Sequence, residues 1–292
     1  MSAQRYRLSS QLRFNIKNHL DRLFIQNGLY FTVASGQFDV SGERADVLRR
    51  VNGRLYESHV NEWIYENDAS GIAPYNAFVA SGIYIDNTFH PKGSGIYKPR
   101  IDYRNGRVFF DSNVPSTASV YATFSYKHID IGFPDTRRVS QIFSTVKDSI
   151  DFTQNSYPSG FQEQLPIVVI DVQKRISRPF SLGGGKTHDT LVVLHVVSNT
   201  STEVEQIVDI LTESSFNKTI IGVDFNKTPQ IFTQLGDLSN SYKNYTQLQG
   251  NLLYRFTNLF IQNAQLIKIE EIRGVWIARV DWNVIANYNF TT

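Results

Sequence analysis

The sequence predicts an α+β protein, an antiparallel β-rich module combined with a domain in which a small sheet is flanked by helices. Three observations carry this. Short alternating runs punctuated by glycine fill Leu29 to Ile131. At Pro134 the pattern changes to helix, strand, strand, helix. The stretch Gln265–Ala286 then returns to two strands about Arg273-Gly274. A chain of 292 residues is long enough for one large domain or two ordinary ones. The expected division is an N-terminal helix over 1–28, a β module over 29–133 and a second domain over 134–292. The helix is expected to pack on the second domain, which makes the β module an insertion.

The first helix rests on Leu8, Leu12, Ile16, Leu20, Leu23 and Phe24, which recur at three- and four-residue steps and share one face. Ser9 or Ser10 is the expected N-cap, and Asn27-Gly28 the stop. His19 lies beside the apolar stripe and reads as a helix-surface histidine. Leu29–Val33 is a short strand. Asp46–Arg50 fits a helical turn or a strand equally. Asn105-Gly106 separates Ile101–Tyr103 from Val108–Phe110, and this dipeptide supplies the positive φ angles of a tight hairpin turn. In Ser119–Tyr126 the residues Val120, Ala122, Phe124 and Tyr126 alternate onto one side. Together these strands predict an antiparallel sandwich or small barrel.

Beyond Pro134, Asp135 caps an expected helix carrying Val139, Ile142, Phe143, Val146 and Ile150. Asn155–Gly160 reads as a loop. Ile167–Val172 and Leu191–Val197 are apolar strands, and the 18 residues between them read as a long basic loop. Thr200 and Glu203 have the spacing of a capping box, ahead of a helix with Val204, Ile207, Val208 and Leu211 buried. Thr219–Val223 is a short strand, and Asn251–Phe260 fits helix or strand. In the last strand Trp276, Ala278, Val280, Trp282 and Val284 share one face, with Arg279, Asp281 and Asn283 opposite. That alternation predicts one face on the core and one in water or on a partner.

Composition excludes several chemistries. There are no cysteines, so disulfides, thiolate metal sites and cysteine nucleophiles are out. The formal charge of +2 argues against a strongly basic nucleic-acid binder. Charged residues make up 19%, below the usual ~25%, and such a surface suits a subunit buried in an assembly. No apolar run reaches the ~20 residues of a membrane helix. Gly183-Gly184-Gly185-Lys186-Thr187 looks like a phosphate loop, but Phe180 stands where the first glycine is needed, and a strand is expected after it rather than a helix. The histidines His19, His59, His90, His128, His188 and His195 have no zinc-site spacing. His195, in an apolar strand, reads as a hydrogen-bonded core histidine. No nucleophile elbow or paired-carboxylate pattern is present. The expected protein is not an enzyme, with no cofactor and no metal. Its candidate binding residues are Lys174, Arg175, Arg178 and Lys186, a cationic loop able to touch a neighbouring subunit or the phosphates of DNA.

Leu165–Ile170, the long Gly-rich hairpin, Asp189–Val197 and the capped helix from Thr202 resemble the core of tailed-bacteriophage tail-terminator and related neck proteins. The stretch Gly106–Asp111 with Val120–Lys127 is similar to β modules of other phage virion proteins. The resemblance implies a tail-terminator-like second domain whose long hairpin projects from the sheet, and a hexameric ring in the virion neck. That ring would terminate the tail or join it to the head connector. It implies other neck, tail tube or sheath proteins as partners, non-specific contact with DNA in the lumen, no membrane, and assembly in the host bacterial cytoplasm. Sheet edges and projecting loops would join neighbours by strand addition and polar contacts. A baseplate or receptor-binding protein is the rival expectation, with Trp63, Tyr65 and Tyr75 as a glycan patch. A hydrolase with dispersed Ser, His and Asp is the third, and it requires a pocket holding a perturbed acid or histidine.

Overall fold

A computed structural model describes residues 8–26, 31–35, 44–65, 77–134, 165–179, 186–213, 219–222, 233, 238–239, 258–272 and 274–288. The expected helix over Asp135–Ile150, the loop over Asn155–Gly160, Asn27-Gly28 and Tyr75 lie outside them. The fold is mixed α+β, mostly strand, with two helices among the described residues. The chain divides into two compact units. One comprises Met1–Asp21, Ile129–Thr228 and Gln249–Thr292, and the other Arg22–His128 and Pro229–Leu248.

Helix α1 spans Leu8–Gln26. Leu12, Ile16, Leu20, Leu23 and Phe24 are all buried, as their spacing predicts. Ser9 and Ser10 lie inside the helix, so neither is its N-cap. Asn15, on the buried side, donates its side-chain amide to the Gln11 carbonyl at 2.8 Å.

In the β module the strands are β1 (Phe31–Val33), β2 (Arg49–Arg50), β3 (Leu55–Glu57), β4 (Gly82–Ile85), β5 (Thr88–Pro91), β6 (Arg100–Asp102), β7 (Arg107–Phe109), β8 (Val120–Tyr121) and β9 (Ser125–Lys127). They form three small antiparallel sheets, ordered β1-β9, β2-β3-β7-β6 and β5-β4-β8. Tyr56, Trp63, Ile83, Ile101, Tyr103, Val108, Phe110, Val120 and Phe124 belong to one core cluster of this module. Asp46–Arg50 resolves as a turn at Ala45-Asp46 followed by strand β2.

The hairpin at Asn105-Gly106 forms, with Asp102 opposite Arg107, but its loop has four residues rather than two. Only Gly106 takes positive φ, at 61°. Asn105 is held by Asp102, whose carboxylate accepts its backbone N–H at 3.1 Å and its side-chain amide at 2.7 Å. The tight two-residue turn lies elsewhere. Asp86 and Asn87 join β4 to β5 with φ of 48° and 65°, the left-handed pair that such a hairpin requires. The alternation of Val120, Ala122 and Phe124 is real, and all three are buried. It breaks at Ser125, which is buried where Tyr126 was expected to be. Ser125 makes three hydrogen bonds there to two neighbours: its N–H donates to the Phe78 carbonyl, its hydroxyl accepts from the Phe78 N–H, and its carbonyl accepts from the Ile64 N–H. Only the hydroxyl bond depends on the side chain, and a serine is short enough to make it beside its own backbone.

The other unit is built on a six-stranded sheet. Its strands are β10 (Asp130–Gly132), β11 (Ile167–Pro179), β12 (Lys186–Ser198), β13 (Thr219–Ile221), β14 (Asn258–Ile272) and β15 (Val275–Tyr288), in the order β10-β11-β12-β15-β14-β13. β10 runs parallel to β11 and every other pair is antiparallel. Asp130–Gly132 therefore groups with this sheet by backbone pairing. β11 and β12 are far longer than the apolar runs that announced them. Their ladder continues to Pro179 opposite Lys186, so the expected basic loop is mostly strand. Hydropathy marks burial, whereas this part of the ladder is held by backbone hydrogen bonds along an exposed β11.

One face of the sheet is apolar over its central rows. Val168, Ile170, Val192, Leu194, Val196, Ala278, Val280, Trp282 and Val284 are all buried. Helix α2 (Ser201–Glu213) packs on β12, β14 and β15 through Val204, Ile207, Val208 and Leu211. Thr200 caps it, its hydroxyl accepting the Glu203 N–H at 3.3 Å. The Glu203 carboxylate does not return to the Thr200 N–H; it accepts from the Ser198 hydroxyl, and Ser198 accepts the Thr200 N–H at 3.4 Å. At the other end of α2 the Trp282 indole N–H donates to the Leu211 carbonyl at 3.1 Å. That carbonyl is one of the last four, which have no partner within a helix.

Candidate functional site

The four cationic residues singled out in the sequence lie on the β11–β12 ladder. A β-bulge sits at Gln173-Lys174, which together oppose Leu191 between the pairs Val172–Val192 and Arg175–Thr190. The extra residue reverses the alternation. Arg175, Ser177 and Pro179 join the face of Val172, whereas Arg178 stands on the opposite face. Lys186 is opposite Pro179, and His188 is opposite Ser177. The fold thus gathers Arg175 and Lys186 about His188, leaves Lys174 in the bulge, and turns Arg178 away. Lys174, Arg175, Arg178 and Lys186 are all exposed.

His188 Nδ1 lies 2.7 Å from the Ser177 hydroxyl. Burial lowers the His188 pKa, and the positive charges of Arg175 and Lys186 lower it further. The pair occupies a strand surface whose neighbours are cations. Arg175 and Lys186 thus place exposed positive charge beside His188.

A second polar strip crosses the opposite sheet face. His195 stands between Val169 and Arg279. It is half-buried rather than a core residue. Burial lowers its pKa first, Arg279 and Lys268 act in the same direction, and Asp171 and Asp281 oppose them. Arg279 grips Asp281 with both ends of its guanidinium, Nε to Oδ1 at 2.7 Å and Nη2 to Oδ2 at 2.9 Å. Beyond the strip, Ile167, Val169, Val197 and Ile277 form a small apolar cluster. The predicted polar face of β15 is therefore only partly polar.

Lys186 and Thr187 open strand β12, opposite Pro179 and Arg178, so no helix N-terminus follows the glycine run. Gly183, Gly184 and Gly185 lie outside the described residues. Among the described residues no group of three or more His, Asp or Glu could hold a metal. No described helix is long and apolar enough to cross a membrane.

Of the expected glycan patch, Trp63 is ruled out as a sugar-binding ring, and Tyr75 lies outside the described residues. Trp63 is 1% exposed and stacks on Phe124 at 3.6 Å between ring centroids, with its indole N–H on the Val60 carbonyl. Tyr65 packs half-buried against Tyr103. Trp63 is a core residue, with no free ring face for a sugar. The aromatic row nearest the surface was missed by sequence reasoning. Phe89, Tyr84 and Tyr121 stand opposite one another across β5, β4 and β8. Tyr84 stacks on Tyr121 at 4.9 Å and meets Phe89 at 5.1 Å, and the Tyr121 hydroxyl donates to the Asn87 side-chain carbonyl at 3.0 Å. The turn-forming Asp86-Asn87 between two aromatics was the signal that could have found it.

No protein-family model matches the chain, and no curated protein matches it.

Proposed function

We propose that this chain is a non-enzymatic structural protein of a tailed bacteriophage, a neck or tail-terminator subunit that closes into a ring, six copies being the expected number. The observation that carries the reading is the β11–β12 ladder, thirteen residues on each strand, with a cationic exposed end and a capped helix directly after it. This is the element order on which the resemblance rests. The tail-terminator-like hairpin would project from the sheet and meet a neighbouring subunit, with Arg175, Lys186 and Arg178 positioning phosphate or carboxylate groups. Its partners would be further copies, other neck, tail tube or sheath proteins, and DNA in the lumen. Such a subunit acts by geometry: a head-to-tail contact closes when its rotation divides the circle. The virion neck would be its location, after synthesis in the host cytoplasm.

The test is the solution mass by light scattering, with negative-stain images of the same fraction. Six-fold rings are the expected result. A monomer at every concentration, with no binding to purified tails, rejects the reading.

The row of Phe89, Tyr84 and Tyr121 favours a second reading, a baseplate or receptor-binding protein. Trimeric mass, with glycan binding lost in Phe89→Ala, would establish it in place of the first.

A further inference from the structure

Among the described residues, the six-stranded sheet carries two long open edges. β10 covers β11 only at Ile167–Val169, so the outer backbone of Ile170–Pro179 has no strand partner among the described residues. β13 covers β14 only at Asn258–Phe260, which leaves Ile261–Ile272 equally open. Unpaired edges of this length are liabilities that proteins blunt or use. Charges and bulges blunt these two in part: Lys174 and its bulge on β11, and bulges at Gln262 and Ile267 on β14. Neither edge is blunted throughout. Ile176 on β11 is 39% exposed, and Leu266 and Ile267 on β14 are 39% and 47% exposed. Large apolar side chains midway along an open strand are costly unless another surface covers them.

The two edges complement one another. Gln173–Pro179 carries Lys174, Arg175 and Arg178 and no acid. The open part of β14 carries Glu270 and Glu271, with Lys268 tied to Glu270 at 2.6 Å. Direction matches as well. β11, β12, β15 and β14 alternate, so β11 and β14 run oppositely. A copy rotated about an axis along the strands therefore brings its β11 antiparallel to β14, and the alternation continues across the joint. The covering strands set the offset. β10 blocks β11 in the rows of Val197 and Ile277, whereas β13 blocks β14 in the row of Ala286 and His188, at the other end of the sheet. Sliding the neighbour along the strands clears both blocks and overlaps the two open stretches, a stagger like that of a barrel wall.

We infer that the β11 edge of one copy adds to the β14 edge of the next in staggered antiparallel register, and that this joint closes the assembly. The inference rests on the ring reading and names its interface. Because one edge meets a different edge, the contact is head-to-tail and can close into a ring.

The natural chain has no cysteine, so engineered thiols report cleanly. The full chain carrying Ile176→Cys and Ile267→Cys together is treated with a short flexible bismaleimide, beside each single variant. The double variant is expected to give a covalent ladder up to the ring, and the single variants no covalent dimer. A dimer from either single variant means that an edge meets itself, which overturns the joint. No ladder from a double variant that still has the ring's mass overturns the joint and leaves the ring reading standing. A monomeric wild-type chain removes both. Arg175→Glu with Arg178→Glu is expected to weaken the assembly about tenfold or more, with unchanged circular dichroism, and Glu270→Lys with Glu271→Lys to restore it. An unchanged assembly mass in the Arg175→Glu, Arg178→Glu variant overturns the inference independently of the thiols.

Discussion

Single residues hold this fold at points where nothing larger fits. Gly106 closes the β6–β7 loop with φ of 61°, and a Cβ there would meet the Val60 carbonyl oxygen at a forbidden distance. Its own carbonyl accepts the Ser58 N–H at 2.8 Å. Gly106→Ala combines left-handed strain with a backbone clash and is expected to cost roughly 2 kcal/mol or more. A urea midpoint equal to that of the wild type would contradict this. His188 and His195 set a pH response. Both folded pKa values lie below the ordinary value, so the unfolded chain binds protons more readily than the native one. Their contribution is complete above the unfolded pKa of about 6.5 and is lost as the pH falls through the folded values. The melting temperature should therefore drop on acidification from neutral pH, and less steeply in His195→Gln. A parallel pH profile in that variant would assign the loss to other groups. Gly106 was legible in the sequence as a turn residue. Its approach to Val60 was not, since the two meet only when the chain folds back.

At the scale of elements, the most informative joint is that of α2 with the sheet. Trp282 is fully buried, and its indole N–H terminates α2 by satisfying the Leu211 carbonyl. Trp282→Phe keeps much of the apolar volume but orphans that carbonyl, at an expected cost of about 1–3 kcal/mol. Trp282→Ala adds a cavity and should cost about 3–5 kcal/mol. Chemical denaturation separates the two, and equal losses would mean that the hydrogen bond contributes nothing. The cap is weaker: Thr200→Ala should cost about 1 kcal/mol by the same measurement. The burial pattern of α2 could be read directly from its spacing. The length of β11 could not, because Gln173–Pro179 is mostly polar and exposed while its backbone remains paired. The Gln173-Lys174 bulge is equally silent in sequence, and it decides which face Arg175 takes and which Arg178 takes.

At the scale of the whole molecule, two compact units each carry a core of their own. If the open edges of β11 and β14 are covered by neighbouring copies, folding and assembly are linked by mass action. The melting temperature should then rise with protein concentration, and assembly should weaken as salt screens the charges of Arg175, Arg178, Glu270 and Glu271. A melting temperature independent of concentration over a hundredfold range, roughly, would speak against that linkage.

Legible in the residues alone were the α+β class, α1 and α2 with their buried faces, the hairpin at Asn105-Gly106, the hairpin that joins β14 to β15, and the core face of β15. These follow from periodicity and turn chemistry, which act within a few residues. The burial of Trp63, the gathering of Arg175 and Lys186 about His188, the pairing of β10 with β11, and the two edges left open among the described residues came from the tertiary structure alone. Those depend on which distant backbones pair and where a bulge shifts the register, and long-range pairing leaves no local periodicity to read.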